Sequence, residues 1–193
     1  MKPIEADVKQ RILAAGRTEF ARSGHEAASV RAIGDGAGVT PAMINYYFGG
    51  KRALYEAVVG EALGRLLERL TSVVSDARTG LAPRLAGAYF DFLAEDQELQ
   101  RLLLREVMDQ GEGTRGLAQG FVRPLRAVFE QHFGKSEAAA QLAVSLFGAV
   151  AGYFLYEPVL GAFLDTQPFS PDALARRRRH VVSLATLFEE LPR

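Results

Sequence analysis

The chain has 193 residues, no cysteine and no tryptophan, and its 23 Lys plus Arg balance its 23 Asp plus Glu for a formal net charge of zero. That length allows one ordinary domain, or a small domain joined to a larger one. The lack of cysteine excludes disulfides and thiolate zinc sites and fits a cytoplasmic protein. Residues 1–60 carry 8 basic against 6 acidic side chains, leaving 15 against 17 in the remainder. So small a surplus does not by itself imply a polyanionic partner.

Met1 to Asp7 is mixed in charge and lacks the apolar run of a secretion signal. From about Ala6 to Arg22, Val8, Ile12, Gly16 and Phe20 recur at helical spacing, which predicts a first helix with Gly24 as its left-handed cap. Arg17 and Arg22 lie off that stripe and fit solvated charges better than phosphate contacts. The stretch from Ser29 to Lys51, SVRAIGDGAGVTPAMINYYFGGK, then reads as two short helices around a small-residue turn. Ser29 can cap the first, which carries Val30 and Ile33 inward and stops at Gly36-Ala37-Gly38. Thr40 caps the second and Pro41 takes its first helical position, where a missing N–H costs nothing.

A helix of two turns, ending near Tyr47, is marginal alone and must pack on its predecessor through Val39 and Ile44. Its outward face is then Thr40, Pro41, Ala42, Met43, Asn45 and Tyr46. Small residues lead, so that the backbone can approach something closely, and an amide and phenols follow. This pattern suits a helix-turn-helix whose second helix enters the DNA major groove. It also suits an αα-hairpin in an ordinary helical bundle. Lys51, in the first turn of the next helix beside free N–H groups, has the makings of a phosphate seat.

From Ile12 to Val59 the sequence closely resembles the N-terminal domain of the TetR family of bacterial transcriptional regulators. The resemblance is carried by Phe20 with Gly24, the Ser-Val-Arg-x-Ile opening at Ser29, Ala-Gly-Val-Thr at the turn, and Tyr-Tyr-Phe-x-x-Lys-x-x-Leu-Tyr from Tyr46 to Tyr55. It implies that Ser29, Thr40, Lys51 and Tyr46 or Tyr47 grip the DNA backbone, and that Asn45, Arg31 and Tyr46 read or flank bases. Arg31 sits near a helix N-terminus, where its charge opposes the dipole. The resemblance takes this position to the groove, for a bidentate pair with guanine or a phosphate contact. Gly34, Gly36 and Gly49-Gly50 depart from the family, which more often has alanine, a long polar residue, and proline or asparagine followed by serine. Gly50 still serves as an N-cap.

A long helix follows, Lys51 to about Ser75, with Leu54, Val58, Ala62, Leu66, Leu70 and Val73 in one stripe. Beyond it, helices are expected at about 83–94, 98–110, 115–134, 136–157 and 171–191, with Pro124 kinking the one it interrupts. The stretch Leu142 to Tyr156 is a largely apolar run of only fifteen residues before Glu157-Pro158, short of the roughly 20 of a spanning helix, and reads as a buried core helix with no membrane partner. These readings give an all-α chain: a three-helix DNA-binding domain over 1–50, then a larger helical effector-binding and dimerisation domain over 51–193, with 51–75 as linking helix.

By resemblance, a cavity in the second domain takes a small, largely apolar effector. Tyr89, Arg105 and Tyr153 are candidates for its polar groups, and Phe92, Phe121 and Phe147 for its walls. Arg105 fits a structural salt bridge to Glu106 or Asp109 better than a ligand contact. Small residues Ala140, Ala143, Gly148, Ala149 and Gly152, with Leu174, Val181, Leu184, Phe188 and Leu191 on one face of the last helix, suggest a homodimer through the last two helices. Arginines 176–179 fit a solvated or salt-bridged face better than a nucleic-acid tail. Nothing suggests catalysis, a metal or another cofactor: His25, His132 and His180 are scattered, without HxxxH spacing, a phosphate loop or a nucleophile turn. The expectation is a transcriptional regulator, a repressor, that binds double-stranded operator DNA and is released by its effector. The alternative is a helical adaptor of the same fold with no specific operator.

Overall fold

The computed structural model describes residues 3–76, 80–108 and 122–189, which are all-helical with no strand among them. Their helices are α1 (Pro3–Ala27), α2 (Val30–Ala37), α3 (Pro41–Phe48), α4 (Lys51–Asp76), α5 (Leu81–Glu95), α6 (Gln97–Met108), α7 (Arg123–Phe133), α8 (Glu137–Leu155), α9 (Glu157–Leu164) and α10 (Pro171–Glu189). Contacts divide the chain into two compact units, Met1–Gly64 with Gln97–Leu117, and Arg65–Asp96 with Ala118–Arg193.

In the first unit α1 packs on α2 and α6, and α2 on α3. Ile12, Phe20, Ile33, Ile44 and Leu54 are each fully buried. The helical turns of α1 pass Gly24 and continue to Ala27. Gly24 has φ 76° but ψ 172°, outside the left-handed helical well, so it bends the chain where a terminal cap was expected. The Arg105 side chain packs against the bend: a Cβ at Gly24 would lie 2.6 Å from its Nη1. Close by, Tyr55 donates a 2.5 Å hydrogen bond to the buried Glu106 carboxylate, while its ring meets Phe20 edge to face at 5.1 Å.

The second unit is organised around α5, which packs on α10 and α8. Phe90 and Leu93 of α5, Val150 of α8, and Val181 and Ala185 of α10 fill its core. Bidentate pairs reinforce it: Arg178 with Asp91 at 2.6 and 2.8 Å, and Arg69 with Glu95 at 2.5 and 2.8 Å. The Glu95 carboxyl is held below the usual range by the Arg69 hydrogen bond. Helix α8 is long and apolar enough to cross a membrane by length and composition, with a third of its apolar window buried. Leu146, Val150, Tyr153 and Phe154 are buried while Val144 stands 66% exposed. It is therefore a core helix, as expected, but on one face only.

Two expectations are corrected. Glu157-Pro158 does not end helical structure but opens α9, with Pro158 in the first turn. Pro124 lies in the first turn of α7, and the segment before it, on which the expected kink depends, is outside the described residues. Val181 faces its own chain at 0% exposure, so the α10 stripe that was expected to meet a partner includes the packing surface for α5. The glycines at 111, 113, 116 and 120, and Leu191, lie outside the described residues.

Candidate nucleic-acid interface

The two short helices and their turn are built by local chemistry. Ser29 is extended and its hydroxyl accepts from the Ala32 N–H, the N-cap bond expected of it. Helix α2 ends at Gly38, which adopts the left-handed conformation at φ 66°, ψ 38° and donates its N–H to the Asp35 and Gly34 carbonyls. The next N–H, of Val39, bonds Gly34 O at 2.9 Å. Gly34 permits this closure: a Cβ there would lie 2.8 Å from the Val39 carbonyl. Gly36, for which the sequence offers no reason, faces Ala15, whose Cβ would sit 3.4 Å from an added one. Thr40 has the extended conformation of an N-cap but makes no side-chain cap bond, and Pro41 occupies the first turn.

Helix α3 buries Ile44 completely and leaves Thr40, Pro41, Ala42 and Asn45 exposed. Tyr46 is 81% exposed and meets the half-buried Tyr47 edge to face at 5.1 Å. Met43 is half-buried, while Ser29 and Arg31 are exposed at the start of α2. The helix stops at Gly49, left-handed at φ 82°, whose N–H bonds Asn45 O, and Gly50 follows at φ 124°. Both positions favour glycine over any other residue, which accounts for the Gly-Gly departure. A bulky aromatic left in water beside an amide and small side chains is a surface made for contact.

Lys51 is placed differently from a bare phosphate seat. Its Nζ donates to the carbonyls of Glu26 at 2.9 Å and Ala28 at 3.3 Å, closing the C-terminal end of α1. An ammonium has three donors, so these bonds leave one. Arg17 and Arg22, read as solvated, pair with Glu98 at 3.5 Å and Glu19 at 2.6 Å. Pattern reading missed Glu19, a carboxylate 7% exposed inside the hairpin domain. The Arg22 hydrogen bond, with the Ser29 N–H, keeps its carboxyl below the usual range against the opposing effect of burial. No periodicity marks such a residue, because its partners lie up to ten positions away.

The effector candidates separate. Arg105 belongs to the first unit, against Gly24, whereas Tyr89, Phe92, Phe147 and Tyr153 belong to the second. Phe121 lies outside the described residues. Tyr89 stacks on Phe147 at 5.5 Å, and burial pushes its hydroxyl up. Phe92 is buried. Tyr153 donates to Pro168 O at 2.6 Å beneath the Arg177 guanidinium, 5.3 Å from the ring centroid. An open cleft of about 690 Å³ lies between α8, α9 and α10, lined by Gly148, Gly152, Tyr156, Phe163, Arg176 and His180 among others. Phe163 at its edge is 82% exposed. Among the described residues no group of His, Asp and Glu could hold a metal ion.

Two short helices joined by a glycine turn, the second presenting its outer face to water, define a helix-turn-helix protein. Residues 12–58 match the family model described as bacterial regulatory proteins, tetR family. That match lies within the N-terminal segment of the chain and is to a family of regulatory proteins. No match was found among curated proteins. Among solved structures, the chain is similar to a TetR-like transcriptional regulator from Rhodococcus sp. RHA1, with TM-score 0.72, 18% identity and 93% of each chain covered. It is similar to the transcriptional regulator FadR from Bacillus subtilis in complex with stearoyl-CoA, with TM-score 0.70, 19% identity, and 91% of this chain and 96% of that one covered. It is also similar to the fatty acid degradation regulator FadR from Bacillus halodurans, with TM-score 0.67, 19% identity, and 95% and 99% covered. At such identities the likeness establishes a shared fold across nearly the whole chain.

Proposed function

We propose that the protein is a ligand-responsive transcriptional repressor that binds a near-palindromic operator as a homodimer. The observation that carries this is the outer face of α3: Thr40, Pro41, Ala42, Asn45 and Tyr46 stand in water within a segment that matches a family of regulatory proteins. Two such helices, one per subunit, enter successive major grooves about 34–36 Å apart. Asn45, Arg31 and Tyr46 read or flank bases. Ser29, Thr40, Tyr47 and the third donor of Lys51 hold phosphates, which fix register without carrying sequence information. Pro41, Ala42 and Met43 let the backbone come close.

The dimer forms through the last helices, with α9 taking part. Exposed Val144, Val159, Phe163 and Leu187 support this, as do Gly148 and Gly152 in the cleft floor, which leave room for an approaching helix. The effector is small and largely apolar. The Tyr89–Phe147 stack, Phe92 and Tyr153 are its proposed surroundings. The stearoyl-CoA held by the similar FadR of Bacillus subtilis is consistent with an acyl effector here. Helix α4, which begins in the first unit and ends in the second, transmits the change. Linkage then requires DNA and effector each to weaken the other's binding by one factor.

Selection of wild-type protein on a pool of random duplexes tests the reading. An enriched sequence with two related halves is expected. A pool that stays random at moderate salt would favour the alternative, an adaptor that kept the fold without an operator.

A further inference from the structure

Both ends of α2 are held by charged side chains of α1, and each charge has the sign that its end of the helix requires. At the N-terminus the buried Glu19 accepts from the Ser29 N–H at 3.2 Å. Its remaining acceptor sites take Arg22 Nη2 at 2.6 Å and Ser23 Oγ at 3.4 Å. At the C-terminus Arg11 Nη1 donates to the Ala37 carbonyl at 2.7 Å, and its Nε pairs with Asp7 at 3.2 Å. A carboxylate thus faces the partial positive end of α2 and a guanidinium the partial negative end.

The spacing gives these contacts a second property. Arg11 and Glu19 are eight positions apart on α1, about 12 Å at the helical rise, and α2 is an eight-residue helix of the same length. Glu19, the later residue, meets the start of α2, and Arg11, the earlier one, meets its end. Both bonds form only when the helices run in opposite directions at one register; sliding α2 by one residue would break them together. Helix α3 inherits that register, because the Gly34–Val39 hydrogen bond and Gly38 tie the turn directly to α2.

We propose that Arg11 and Glu19 are positioning residues for operator recognition, a charge bracket that sets the register of α2 on α1 and thereby the aim of α3. This rests on the reading of α3 as the helix that enters DNA. The bracket acts on where α3 points and supplies no phosphate contact of its own. Its loss therefore lowers the preference for the operator over unrelated DNA, while the electrostatic attraction shared by both remains.

The test uses the full chain and two duplexes, the selected sequence and a scrambled one, with affinities read against salt. Arg11→Met is expected to reduce the ratio of the two affinities about tenfold or more, a change typical of one misplaced base contact, with the salt slope on the scrambled duplex unchanged. Arg11→Lys, which still donates to Ala37, restores most of the ratio, and Glu19→Gln behaves like Arg11→Met. Should Arg11→Met lose its cooperative melt, Arg11→Lys is compared with Arg11→Gln, and lysine alone should keep the wild-type ratio. Variants as selective as a selective wild type overturn the bracket alone. So does a salt slope reduced by roughly 2 per dimer, which would make Arg11 a phosphate contact. A wild type without any preferred duplex overturns the underlying reading and the bracket's role with it.

Discussion

Glu19 is the residue on which the hairpin's local stability should depend most visibly. Its folded-state carboxyl is held below the ordinary range by Arg22 and the Ser29 N–H. A lowered value means that the stabilisation is fully present above the unfolded-state value of about 4.3 and is lost as pH falls through the lower folded one. Wild type should accordingly lose stability below about pH 4.3 in part through this group, and Glu19→Gln should show a shallower acid limb in denaturant titrations. Parallel limbs would remove Glu19 as a contributor. Gly34 makes a second case. The family resemblance suggests alanine would be welcome there, but the Val39 carbonyl lies 2.8 Å from where its Cβ would be. Since backbone must move, Gly34→Ala is expected to destabilise by about 1–3 kcal/mol, measured by urea titration; an unchanged or raised midpoint would contradict this. Glu19 was illegible in the sequence because its role rests on the Ser29 N–H, ten positions away across a helix boundary, whereas Ser29 and Gly38 were legible because each answers a local backbone demand.

At the level of elements, α2 and α3 could be placed from caps and turn residues alone, since Ser29, Gly38 and Pro41 act within a few positions of themselves. Helix α9 could not, because a proline reads equally as a stop or as a first-turn residue, and only the chain beyond it decides. The packing of α6 on α1 was equally hidden, as nothing in the periodicity of an amphipathic helix names the surface it covers. That packing carries Arg105 to Gly24 and Glu106 to Tyr55. Lys51 is where element and function compete. Its two bonds to the end of α1 anchor the start of α4, and its third donor is assigned to phosphate. Lys51→Ala should flatten the salt slope of operator binding by roughly 2 for a dimer. A weaker affinity at an unchanged slope would reduce Lys51 to the anchoring role.

For the whole molecule, the sequence disclosed an all-helical chain with a helix-turn-helix front end, and the structure adds exposed apolar residues on α8 and α9. Val144, Val159 and Phe163 are each more than 60% exposed, side chains that a second subunit would cover in the proposed dimer. Sedimentation of the full chain should therefore give the mass of a dimer, and Phe163→Asp should shift it toward the monomer; a wild type that sediments as a monomer at micromolar concentration would contradict the paired-helix account. The claim on which everything turns is that the first residues of α3 lie in the groove. Ala42 is exposed there, and an aspartate at this early helical position suits the dipole, so Ala42→Asp should melt within a few degrees of wild type. Its carboxylate would meet phosphate and base edges. The most direct measurement is affinity of this variant for the selected duplex: a loss of about 100-fold or more is predicted, and binding as tight as wild type would contradict the account.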